Sequence, residues 1–203
     1  SAEGGAARVV GGAVRNALMG LPASGDIDIA TTLLPDAVMA RAAAAGLQSV
    51  PTGIEHGTVT VIGRHRVVEV TTLREDVETD GRHAVVRFGT DWAADAARRD
   101  FTMNALFADA EGHIIDLVGG IEDLAARRVR FIGSADQRIA EDRLRVLRFF
   151  RFHASYGHGA PDAEGLAAAT RARHALGDLS AERIGQEMRR LVVAPGAPAT
   201  LEV

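Results

Sequence analysis

An α+β architecture is predicted for this 203-residue chain: a small mixed sheet interleaved with short helices, then an all-helical segment, with the border near residue 133. Three observations carry the prediction. Short aliphatic and β-branched runs, bounded by glycines and charged turns, recur through the first part. From Ser134 onward the apolar residues take helical spacing, opened by a capping box formed by Ser134 and Gln137. Apolar residues make up 47% and charged residues 25%, the balance of a globular protein with a sizeable core.

Taken in order, Arg8–Val10 reads as a buried strand broken by Gly11-Gly12, and Ala13–Met19 as a helix ended by Gly20 and Pro22. Asp26–Thr31 alternates acids with aliphatics, as a strand does. Pro35 opens an alanine-rich helix to about Ala45. Thr58–Ile62 and Val67–Thr72 form a hairpin pattern around Gly63–Arg66. Residues 73–97 show little periodicity and are expected to form one long mobile loop. Structure resumes at Arg98–Ala108, turns at Glu111-Gly112 into Ile114–Leu117, and a last strand is expected at Val129–Ile132. One helix from Ser134 to about Tyr156 follows, then two more at about Pro161–Leu176 and Ser180–Val193.

Composition excludes several classes. No apolar run is long enough to cross a bilayer, and no signal peptide is visible at Ser1–Arg8, so a cytoplasmic location off the membrane is expected. Cysteine is absent, which rules out disulfides and cysteine-based zinc sites. The net charge of −4 argues against a generally basic nucleic-acid binder. All 23 basic residues other than histidine are arginines, suited to forked contacts with phosphates and base edges, and they cluster between Arg127 and Arg151. Nothing in the pattern sets an oligomeric state.

The sharpest local feature is Asp26-Ile27-Asp28. Residues i and i+2 of a strand share a face, and two carboxylates there repel unless a cation sits between them. Hard divalent cations such as Mg²⁺ accept carboxylate and phosphate oxygens, and a pair of them can clamp both oxygens of a phosphoryl transfer. An isolated Asp-x-Asp is equally a solvated strand end. Upstream, Gly11-Gly12 after a buried strand allows close approach of backbone amides, and Arg15 follows on the helix.

Gly11–Arg15, Asp26–Asp28, Arg98–Ala105, Glu141–Arg148 and Leu179–Glu187 occur in an order that closely resembles the class II tRNA nucleotidyltransferase (CCA-adding) and bacterial poly(A) polymerase family. The resemblance covers nearly the whole chain. It implies a polymerase-β-like nucleotidyltransferase head over residues 1–133 and a helical neck carrying a nucleobase-recognition helix over residues 134–203. It implies transfer of CMP and AMP from CTP and ATP to the 3′ end of tRNA, with Mg²⁺ as cofactor. One departure is Asn16, where the family usually has Asp.

By the same resemblance, the catalytic metal ligands fall on Asp26 and Asp28. Nucleotide contacts fall on Gly12, Arg15, Arg99, Asp142, Arg145, Arg148 and Arg151. A third carboxylate is common in this architecture, with Glu69 and Asp100 as the two candidates; either can instead be structural, Asp100 as a helix cap. The stretch Asp142–Arg151, read as one helix, places Asp142, Arg145, Arg148 and Arg151 at spacing three, a polar strip that is either an ion-pair ladder or a base-reading face. Asp142 only accepts and Arg145 only donates, which complements the amino group and ring nitrogen of cytosine and adenine and opposes guanine and uracil. His56 and His113 read as loop residues. Poly(A) addition, partial A or C addition, and a non-catalytic RNA-binding module remain the alternatives; intact Asp26 and Asp28 speak against the last.

Overall fold

The computed structural model describes residues 5–23, 25, 27–64, 66–76 and 86–202. They form two compact units, one within Ser1–Arg99 and Asn104–Val118, the other within Asp100–Met103 and Gly119–Val203.

The first unit runs β1 (Ala7–Val10), α1 (Gly12–Leu18), β2 (Ile27–Thr31), α2 (Pro35–Ala44), β3 (Gln48–Gly53), β4 (Thr58–Ile62), β5 (Val67–Thr72), β6 (Arg74–Asp76), β7 (Val86–Phe88), α3 (Trp92–Ala97), β8 (Leu106–Ala108) and β9 (Ile114–Asp116). Seven strands make one mixed sheet in the order β3-β4-β5-β2-β1-β8-β9. The β2–β5 pair is parallel and the other pairs are antiparallel. Helix α2 starts with Pro35 at its first turn, where a missing N–H is harmless, and buries Val38 and Ala42 one turn apart. These two pack with Val59, Val61 and Val70, and with the half-buried Ile29 and Val68, into the core on one face of the sheet.

Two sequence expectations change here. Strand β3 escaped notice because it is a mostly exposed edge without clean alternation. Residues 73–97 are not one loop: β6 and β7 pair as a short ribbon and α3 follows, while residues 77–85 lie outside the described residues. Asp91 caps α3 by accepting from Ala93 N at 2.8 Å. Trp92 stands edge-on to Phe107 at 5.3 Å, with the Arg8 guanidinium 4.0 Å over its ring. Capping and burial order a segment whose periodicity is too short to read.

The second unit holds α4 (Gly120–Ala125), α5 (Ala135–Glu141), α6 (Arg145–Tyr156), α7 (Ala163–Ala172), α8 (Ala181–Val192) and α9 (Ala197–Leu201). Its centre is aromatic: Phe101 lies 4.8 Å from Phe131 and 5.0 Å from Phe152, and Phe131 stacks on Phe149 at 5.5 Å between ring centroids. Gly165 of α7 sits where a Cβ would meet the Phe149 ring at 2.7 Å, so a side chain there cannot enter without displacing that core ring.

The strand expected at Val129–Ile132 is absent; Phe101 and Phe131 form only an isolated bridge. The apolar run is there to fill this core, where Val129 and Phe131 are buried, not to extend the sheet. In that packing Asp100–Met103 and the residues from Gly119 group with the helices. The single helix expected from Ser134 to Tyr156 is two. Asp142 ends α5 in extended conformation and its carboxylate accepts from Leu144 N at 3.1 Å, a local turn that competes with helix continuation. The expected Ser134 cap is present, accepting from Gln137 N.

Candidate active site

In the first unit, candidate site residues gather at the turn after β1. Gly11 has φ 74°, a conformation that disfavours side chains, and its N–H donates to the Leu106 carbonyl at 3.2 Å. Helix α1 then brings Arg15 into the interior, only 5% exposed. Arg15 Nη1 donates to Asn104 Oδ1 at 2.6 Å, while its Nε and Nη2 donate to Asn16 Oδ1 at 3.2 and 2.9 Å. Two motifs far apart in sequence thus meet on one guanidinium.

On the sheet, β2 presents Asp28 in an exposed position, paired in register with Glu69 of the parallel strand β5. Register partners on neighbouring strands share a face, with backbones about 4.8 Å apart. Ile29, Val68 and Val70 occupy the α2 face, so Asp28 and Glu69 stand on the opposite one. Asp26 lies outside the described residues. Of the two candidates for a third carboxylate, Glu69 is the one placed beside Asp28. Asp100 is engaged elsewhere: it accepts from Phe101 N at 2.8 Å and from Arg148 Nε at 3.0 Å.

Arg99 is held by a residue the sequence reading passed over. Asp95, 1% exposed, accepts from Arg99 Nη2 at 2.9 Å and from Arg98 Nε at 3.0 Å. Burial opposes ionisation of Asp95, but Arg99 and Arg98 outweigh it and hold the carboxyl below its usual range. The Arg-Arg doublet three and four positions on was the available clue, since a buried acid on a helix needs such partners.

In the second unit Arg145, Arg148 and Arg151 do share a strip of α6, but each is held by an acid outside that strip. Arg145 Nη1 donates to Glu141 Oε2 at 2.7 Å and to the Arg138 carbonyl at 2.9 Å. Arg148 pairs with Asp100 and, at 3.8 Å, with Glu187, and Arg151 also pairs with Glu187. Asp142 is not on the helix; Arg183 Nη2 donates to its two oxygens at 3.1 and 3.0 Å. The strip is therefore no solvated ladder: side-chain exposure of Arg145 and Arg151 is 16% and 12%.

A separate group at the β8–β9 turn, Asp109, Glu111 and His113, has ligand atoms within 4.8 Å of one another and could hold a metal ion. His113 is a loop residue, as expected, and Asp109 closes this turn by accepting from the Glu111 and His113 N–H groups at 3.0 and 2.8 Å.

A mixed sheet with paired acidic positions on its parallel strands, beside a glycine turn and a buried arginine, defines a polymerase-β-like head. The chain belongs to the poly A polymerase head domain family, which matches residues 7–130. It is 43% identical over 199 residues to the mitochondrial CCA tRNA nucleotidyltransferase 1 of Danio rerio, covering 97% of this chain and 46% of that protein. It is 40% identical over 195 residues to the CCA-adding enzyme of Geobacillus stearothermophilus, covering 95% of this chain and 46% of that one. The crystal structure of the Bacillus stearothermophilus CCA-adding enzyme in complex with CTP superposes with a TM-score of 0.88 at 38% identity, over 98% of this chain and 47% of that one. The chain thus spans about half the length of the relatives it matches. Among the described residues no helix is long and apolar enough to cross a membrane.

Proposed function

We propose that this chain is the nucleotide-transferring part of a CCA-adding enzyme, which moves CMP and AMP from CTP and ATP to the 3′ end of tRNA without a nucleic-acid template. The observation that carries the reading is the register pair Asp28–Glu69 on one exposed face of the parallel strands. Resemblance to proteins named for CCA addition supports the same activity.

The donor set fits Mg²⁺, because carboxylate oxygens on one face suit a hard divalent cation. Asp28, with Glu69 and the sequence-assigned Asp26, would hold it, and when bound it supplies charge neutralisation at the transferring phosphate and a more acidic 3′-hydroxyl. The chain's own arginines do the rest. Arg15 and Arg99, fixed by Asn104, Asn16 and Asp95, offer oriented donors to the triphosphate of a nucleotide whose backbone approach Gly12 leaves open. Holding these groups in place before substrate arrives lowers the reorganisation needed at reaction.

Base choice falls to Asp142 and Arg145, with Arg148 and Arg151 completing the strip. Arg183 fixes the Asp142 carboxylate and Glu141 fixes the Arg145 fork, so acceptor and donor are oriented independently. That arrangement complements the amino and ring-nitrogen edge of C and A and opposes that of G and U. Residues 1–133 serve as the catalytic head and residues 134–203 as the base-reading neck of a cytoplasmic enzyme. The deciding experiment incubates the full-length protein with tRNA lacking its 3′ CCA, CTP and ATP, and sequences the added nucleotides. C-C-A is expected. A long A tract would make it a poly(A) polymerase, and a single nucleotide type a partial adder.

A further inference from the structure

Asn16 stands beside the buried Arg15 and makes contacts in two directions. Its Oδ1 accepts from Arg15 Nε and Nη2 at 3.2 and 2.9 Å, and its Nδ2 donates to the Pro22 carbonyl at 3.0 Å. Its backbone carbonyl accepts from Leu21 N at 2.9 Å. The amide has only one workable orientation, because arginine only donates and a carbonyl only accepts. An aspartate of the same shape satisfies the first contact and sets two acceptors against each other in the second. An alanine loses both.

The geometry has a mechanical consequence. Asn104 holds one arm of Arg15 and Asn16 holds the other edge, so the guanidinium plane is set from two sides by neutral acceptors. Through the same amide that plane is tied to Leu21–Ala23, the segment that leads toward β2 and Asp28. We propose that Asn16 is a positioning residue of the nucleotide site, coupling the Arg15 guanidinium to the segment that feeds the acidic strand. The inference rests on the nucleotidyltransferase reading above and adds a residue to it. A neutral clamp orients Arg15 without adding negative charge where a triphosphate binds, whereas an aspartate there adds one, whatever else surrounds the arginine.

The test measures CTP dissociation constants of the full chain by calorimetry, with Mg²⁺, across a sodium chloride series, for wild type, Asn16→Ala and Asn16→Asp, with melting temperatures in parallel. Asn16→Ala is expected to weaken CTP binding about three- to tenfold, the equivalent of one or two neutral hydrogen bonds. Its melting temperature should fall by a few degrees at most, since the lost contacts to Arg15 are part-buried and the one to Pro22 is exposed. Asn16→Asp, the isosteric variant least able to disturb folding, is expected to weaken CTP and to flatten the salt dependence, because the added charge offsets part of the cationic attraction. Full-length kinetics should show the loss in KM more than in kcat. Wild-type affinity and salt slope in both variants would overturn the proposal, and so would a lowered melting temperature with unchanged CTP binding. A wild-type chain that binds no CTP would overturn the nucleotide-site reading itself and this inference with it.

Discussion

The sheet and the helical unit use the same residue types in opposite ways. On the sheet, Asp28 and Glu69 occupy exposed register positions on one face, where a cation can reach them. Among the helices, Asp123 is 0% exposed and accepts from Thr102 Oγ1 at 2.7 Å, Arg128 Nε at 2.6 Å and Arg130 Nε at 2.8 Å. Glu187, 5% exposed, is locked between Arg148 and Arg151. A carboxylate beside water remains available for chemistry, whereas a buried one survives only when arginines and hydroxyls satisfy it. Acids of the first kind should matter for turnover and little for folding, and the second kind the reverse.

The largest expected effect tests the first half of that contrast. Asp28→Ala, and likewise Asp26→Ala, should cut nucleotide transfer by at least about a thousandfold, since metal-held charge stabilisation supplies several kcal/mol of the barrier reduction. Unfolding free energy of Asp28→Ala should stay within about 0.5 kcal/mol of wild type, as for other exposed sites. Near-normal incorporation of labelled nucleotide into tRNA by either variant would sink the metal assignment.

Asp123→Ala should behave the other way round. It strands Arg128, Arg130 and the Thr102 hydroxyl, and should lower stability by about 3 kcal/mol in urea denaturation, with CTP binding retained at low temperature. A loss below about 1 kcal/mol would mean that the two half-exposed arginines find water instead.

Next in size is base choice. Asp142→Ala removes an acceptor for the amino groups of C and A and a repulsion felt by the carbonyls of G and U. Discrimination should fall about tenfold to a hundredfold in incorporation of the four nucleotides on one tRNA acceptor. Full retention of the preference for CTP and ATP would reduce the Asp142–Arg183 pair to an ordinary ion pair.

The smallest effect concerns pH. Burial pushes the His153 imidazole down from its usual value, outweighing a hydrogen bond to the Gly159 backbone. The fold therefore favours the neutral ring. Its contribution is complete above the ordinary histidine value near 6.5 and is lost as pH falls through the lowered one. Acidification from pH 8 to pH 5 should depress the melting temperature about 1–2 °C more in wild type than in His153→Gln. Equal slopes would place the titrating group elsewhere.

Local pattern by itself determined β1, α1, β2, α2 and the β4–β5 hairpin, because each is a short periodic run closed by glycine or proline. It also placed Asp28 on a strand, Arg15 on a helix and three arginines on one strip of α6, since all three follow from periods of two or 3.6 residues. What it left open is partner choice. Glu69 and Asp100 were rival candidates from sequence; in the structure the parallel β2–β5 register puts Glu69 beside Asp28, and Asp100 pairs with a residue 48 positions away. Asp142 read as a helical neighbour of Arg145, yet its ion pair reaches Arg183, 41 residues on, and the chain turns at Leu144. Asp95 was signalled only by the Arg98-Arg99 doublet that follows it, and Asp123 carried no local signal. Spacing reports which side chains share an element's face; which element packs against that face, and so which partner each charge takes, is decided by sheet order and core filling.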